Sequence, residues 1–166
     1  MATGMEFVES AANPLDVVEE IVSANGWPFD RATSQELYAE MTGDWCGYRL
    51  CFTWTAEMHV LHVACTFDMK VPATRRTEVN SLLALANERL WLGHFEVDSD
   101  DGVPAFRHAI LLRGMSGPRV EQLEDLVDIA VTTSERFYPA FQYVIWGGHG
   151  AEESIAAAVL ETVGEA

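Results

Sequence analysis

The most constraining stretch of this chain is Gly47–Met69, where apolar side chains recur at every second position on both sides of a turn. Tyr48, Leu50, Phe52 and Trp54 share one face, and Arg49, Cys51, Thr53 and Thr55 share the other. Beyond Ala56-Glu57-Met58, Leu61, Val63, Cys65, Phe67 and Met69 repeat the apolar face, while Val60, His62, Ala64, Thr66 and Asp68 repeat the mixed one. A period of two with a single apolar face describes a hairpin in an antiparallel sheet that packs on one side only. Something else in the chain must cover that face.

The cover is readable on either side of the hairpin. Asn13-Pro14-Leu15-Asp16 opens a helix, with Asn as cap and Pro at the first helical position, and Asn25-Gly26 closes it. Leu15, Val18, Ile21 and Val22 form its apolar stripe. Residues 36–42 form a short first strand. Pro72 ends the hairpin's second strand, and a second helix runs from about Thr74 to Leu90 on Val79, Leu82, Leu83, Ala86 and Leu90. Gly93–Val97 and Val103–Leu112 make a second hairpin around an Asp-Gly turn. Ser116-Gly117-Pro118 opens the longest helix, which Pro139 is expected to kink or restart and Gly147-Gly148 to stop. A last helix begins at Glu152-Glu153 and buries Ile155, Val159 and Val163. The class is α+β: a mainly antiparallel sheet of about five strands with helices packed on one face. Residues 1–12 read as a flexible leader and residues 13–166 as a single domain.

Charge excludes several roles. The 10 Lys+Arg stand against 26 Asp+Glu, a formal net charge of −16. Such a chain lacks the basic footprint of a nucleic-acid binder and is repelled by anionic membranes. The acids fall on the polar faces of helices and in one hairpin turn. Met1–Phe7 has no cationic segment leading into an apolar one, and no window approaches the ~20 apolar residues of a membrane span. With Cys46, Cys51 and Cys65 an odd count of thiols, the expected compartment is the cytoplasm.

Order and residues together resemble the YbjN-domain family of bacterial sensory transduction regulators. The likeness rests on Asn87 near a helix end, Gly93-x-Phe95-x-Val97, the Asp-Gly turn and Phe106-Arg107. It continues in Tyr138-Pro139-Ala140-Phe141-Gln142 and Trp146-Gly147-Gly148. It runs over residues 13–163. The resemblance implies the fold of type III secretion chaperones, small acidic proteins that dimerise and bind other polypeptides. It brings no catalytic residue.

The turn Asp98–Asp101 fails the calcium-loop pattern in both registers, since Asp101 or Gly102 falls where the other residue type is needed. His59 and His62 have opposite strand parity, and Cys46 and Cys51 are too widely spaced for a zinc knuckle. Gly114-Met115-Ser116-Gly117 is one residue short of a nucleophile elbow and reads as a helix cap. Gly147-Gly148-His149-Gly150 opens a helix but lacks a phosphate-loop Lys, and Glu152 and Glu153 repel anions. No catalytic, metal or cofactor site is therefore assigned.

The candidate binding residues are Tyr138, Gln142 and Trp146, placed off the core stripe of Phe137, Phe141, Val144 and Ile145. The function read from this is a non-enzymatic, protein-binding or chaperone-like regulatory homodimer with a protein or peptide partner. The alternative is a small-ligand sensor or enzyme on the polar sheet face, using Arg49, His62, His94, Glu96 and Arg107.

Overall fold

A computed structural model describes residues 12–163. Helix α1 (Pro14–Ala24) is followed by strands β1 (Phe29–Arg31), β2 (Glu36–Thr42), β3 (Gly47–Thr55) and β4 (Val60–Thr66). A 3-10 turn, Ala73–Arg75, leads into α2 (Arg76–Asn87). Strands β5 (His94–Val97) and β6 (Pro104–Leu111), then helices α3 (Val120–Ile145) and α4 (Ala151–Val163), complete the order. The leader expected over residues 1–12 lies, except for its last residue, outside the described residues.

The strands form one antiparallel sheet in the order β1-β2-β3-β4-β6-β5. Pairing sets Leu50 opposite Cys65 and Phe52 opposite Val63, so the apolar residues of the central hairpin do share one face. Helices α1, α2 and α3 pack on that face, and α4 packs on α2 and α3 as an outer layer. The core joins the sheet residues Leu37, Leu50, Phe52, Leu61, Val63 and Phe106 to Leu15, Val18, Leu82, Leu123 and Phe141 of the helices. Its densest part is aromatic. Phe67 lies 5.7 Å from Tyr48, 5.4 Å from Tyr138 and 5.3 Å from Phe141, ring centre to ring centre. Phe95 lies 5.4 Å from Phe106 and 5.3 Å from Phe137.

The sheet has six strands rather than about five. The addition, β1, is three residues long and carries no alternation to read; Arg31 fixes it by reaching Glu19 at 3.0 Å and Asp16 at 3.2 Å on α1. The second helix ends at Asn87, not Leu90, because the Asn87 side chain is taken up by β5. The longest helix starts at Val120 with Arg119 as its cap residue, so Ser116 does not cap it. Pro139 does not restart it: α3 is one element, and Pro139 is buried between buried Tyr138 and Ala140. Packing on both sides offsets the one hydrogen bond Pro removes. In α4, Ile155 is buried and Val159 half-buried; the Val163 side chain is outside the described residues.

The α3–α4 turn is held from α2 and the 3-10 turn before it. Arg75 donates to Val144 O at 2.8 Å and to His149 O at 2.7 Å, and the Glu78 carboxylate accepts from Ala151 N–H at 3.3 Å. The N-terminus of α4 thus already holds an anion from its own chain. Among the described residues no helix is long and apolar enough to cross a membrane.

Candidate functional site

The sheet face opposite the helices carries the polar residues that alternate with the core. Arg107 Nε donates to His62 Nε2 at 2.9 Å, and Arg107 Nη1 donates to Glu96 Oε1 at 2.9 Å. His94 Nε2 lies 3.4 Å from Glu96 Oε2. Four of the five residues expected on this face therefore meet across β4, β6 and β5. Arg49 does not join them; its guanidinium lies 4.8 Å from the ring centre of Tyr38 on the neighbouring strand. His62, Glu96 and Arg107 border a shallow cleft of about 320 Å³ floored by small side chains such as Ala64, Thr66 and Ala105.

An arginine only donates, so His62 Nε2 accepts and the neutral ring carries its proton on Nδ1. Burial, then the Arg107 charge, holds His62 below the usual histidine range. Burial likewise lowers His108, which faces the helices beside Val63. Chemically the cluster is a linked polar network: Arg107 serves His62 and one Glu96 oxygen, and the other Glu96 oxygen faces His94. Burial pushes Cys65 up to about 12 and raises Cys46 as well.

The lowered histidines make stability pH-dependent. Folded His62 and His108 bind protons less readily than the unfolded chain does. Their contribution is therefore complete above the unfolded value of 6.5 and is lost as pH falls below it toward the folded values. His62→Gln keeps an oxygen to accept from Arg107 and removes the titration. Urea unfolding at about pH 7.5 and about pH 5.5 should show a smaller loss for the variant than for the parent chain. Equal losses would remove His62 from the linkage.

The acidic turn is likewise satisfied internally. Asp98 Oδ1 accepts from Asp100 N–H at 2.7 Å and Asp101 N–H at 3.0 Å, while Asp101 Oδ1 accepts from Val103 N–H at 2.9 Å. These bonds, that from Asp101 foremost, hold Asp98 below the usual carboxylate range. Among the described residues, no cluster of three or more His, Cys, Asp or Glu side chains could hold a metal ion.

The three residues expected to bind a partner do not form one surface. Tyr138 is 2% exposed and packs against Tyr48 and Phe67; Gln142 is half-buried; Trp146 is 60% exposed. Successive steps of four along a helix rotate about 40° each, so this row turns from the core at Tyr138 to solvent at Trp146. The sequence reading missed two other features. Trp91 is fully exposed and Leu92 half-exposed in the loop before β5. Ile21 and Trp27 also meet Val127 and Val131 in a groove of about 550 Å³ between α1 and α3. The loop could have been found as an apolar pair outside any period, but the groove joins residues some hundred positions apart.

The YbjN family model, described as "Putative bacterial sensory transduction regulator", matches residues 14–143. Among solved structures the chain is similar to YbjN from E. coli, at 14% identity and a TM-score of 0.51, over 91% of this chain and 92% of that one. It is also similar to a chain of the ExsC–ExsE complex, at 15% identity and a TM-score of 0.48, over 75% of this chain and 92% of that one. No curated protein matches it. The fold built above is the one shared with E. coli YbjN, and the family match spans well over half of the residues. The chain belongs to the YbjN family.

Proposed function

We propose that this chain is a non-enzymatic regulatory module that acts by binding protein, as a cytoplasmic homodimer. The observation that carries the reading is the set of large apolar side chains left open on a chain whose core is already filled. Trp91 is 100% exposed and Trp146 is 60% exposed. Exposed tryptophans of this kind are the usual anchors of protein interfaces. The net charge of −16 turns such a surface away from nucleic acid and anionic membrane, which leaves polypeptide. The family description as a sensory transduction regulator supports the same role.

A second reading, a small-ligand sensor on the open sheet face, draws on the cleft beside His62 and Arg107. It is the weaker of the two, because those groups are engaged with one another. If Trp146 anchors the dimer, Trp146→Ala weakens self-association by about tenfold or more in sedimentation equilibrium, with the urea midpoint unchanged. An unaltered dimer constant would take Trp146 out of the interface.

A further inference from the structure

We infer that the groove between α1 and α3 seats a cationic amphipathic helix of a partner protein. The inference rests on the protein-binding reading and names the partner class and the site. The floor is apolar: Val127 is 4% exposed, and Ile21, Trp27 and Val131 are only partly buried against the core. A groove between two helices is a ready seat for a third, whose apolar stripe completes the packing.

The rim selects the charge of that helix. Glu124, Asp125 and Asp128 border the groove from α3, and all three are exposed. Among the described residues none of them has an ion-pair partner. Their spacing is locally unfavourable. Glu121 and Asp125, and likewise Glu124 and Asp128, stand four apart on one helix, and Asp125 and Asp128 stand three apart. Like charges at these spacings destabilise a helix. Cations laid along the rim would relieve that repulsion, whereas an acidic segment, or a second copy of this chain at −16, would add to it.

The test uses the full chain and a labelled synthetic peptide of about 18 residues, with leucines at helical i, i+3, i+4, i+7 spacing flanked by arginines. A second peptide replaces the arginines by glutamates. Fluorescence anisotropy should show the basic peptide binding and the acidic one not. The rim triple Glu124→Lys/Asp125→Lys/Asp128→Lys should weaken binding by about tenfold or more. The control triple Glu40→Lys/Glu57→Lys/Asp100→Lys makes the same change in net charge at exposed positions outside the groove, and should leave binding within about twofold. Urea unfolding checks that both triples fold. If the rim triple does not, Asp125→Lys alone should shift binding in the same direction by about threefold.

Equal weakening by both triples reduces the effect to overall charge and overturns the inference. So does an unaffected rim variant, or the absence of binding. Sedimentation of the same samples separates the two claims. A dimer weakened by Trp146→Ala, with no peptide bound, leaves the general reading and removes the groove. A monomer that binds the basic peptide through the rim keeps the groove and removes the homodimer.

Discussion

Replacing Phe67 by Ala should cost about 3–5 kcal/mol, the largest loss expected from any single truncation in this core. Phe67 is 3% exposed and sits just past the end of β4, where its ring meets four others. Besides Tyr48, Tyr138 and Phe141 it lies 6.0 Å from Phe95. It therefore joins the sheet to the C-terminal third of α3. Truncation removes the apolar area, the edge-to-face contacts and the support of rings that cannot all move inward. A domain of this size has about 5–15 kcal/mol to lose, so the variant should unfold at markedly lower urea with an unchanged slope. Phe67→Leu, which keeps much of the volume, should cost less than about half as much. A loss below about 1 kcal/mol for Phe67→Ala would mean that the aromatic cluster does not hold the layers together.

The second large effect belongs to Asn87. Its Nδ2 donates to Phe95 O at 3.0 Å and its Oδ1 accepts from Phe95 N–H at 2.7 Å. One side chain thereby supplies β5 with the pair of bonds a further strand would supply. Arg76 reinforces the same edge through Val97 O at 3.4 Å. Phe95 is 2% exposed, so Asn87→Ala strands a donor and an acceptor and should cost about 2–4 kcal/mol. It also uncovers a sheet edge, and the variant should self-associate more readily on partial unfolding. Asn87→Asp is the sharper probe. Its carboxylate still accepts from Phe95 N–H but opposes Phe95 O, and protonation restores a donor. Its deficit relative to the parent chain should shrink as pH falls through the carboxylate range. A deficit within about 0.5 kcal/mol for Asn87→Ala would contradict the edge-cap assignment.

Asn87 also shows where the sequence stops being informative. Its place near a helix end is visible, but its partner is backbone in another element, and backbone leaves no mark in residue type. The central hairpin was fully legible because Tyr48–Trp54 and Leu61–Met69 alternate over seven and nine residues and one buried face fixes their register. Strand β1 was not, since three residues held by Arg31 contain no period. At Pro139 the cost of one lost bond was visible, and the burial that keeps the helix from restarting there was not. Tyr138 and Trp146 looked alike as aromatics off the core stripe. A rotation of about 80° between them, and the presence of Tyr48 and Phe67 on one side only, separates a core residue from a surface one. The polar network at Arg107 was half legible, since strand parity placed His62, His94, Glu96 and Arg107 on one face. Arg49 shares that parity but stands two strands from β6.

The charge of −16 has a more specific meaning once the layers are in place. Arg31 takes up Asp16 and Glu19, Arg107 takes up Glu96, and Asp98 and Asp101 bind their own turn. The run along α3 beside the groove is among the acids that these contacts leave unbalanced.

The central claim is that this chain works through contact with polypeptide, beginning with a second copy of itself. Light scattering across a concentration series measures this directly. The account predicts a species at twice the chain mass of 18.4 kDa that dissociates on dilution, and does so at higher concentration for Trp146→Ala. A mass of 18.4 kDa at every concentration, with the parent chain and the variant alike, would contradict it.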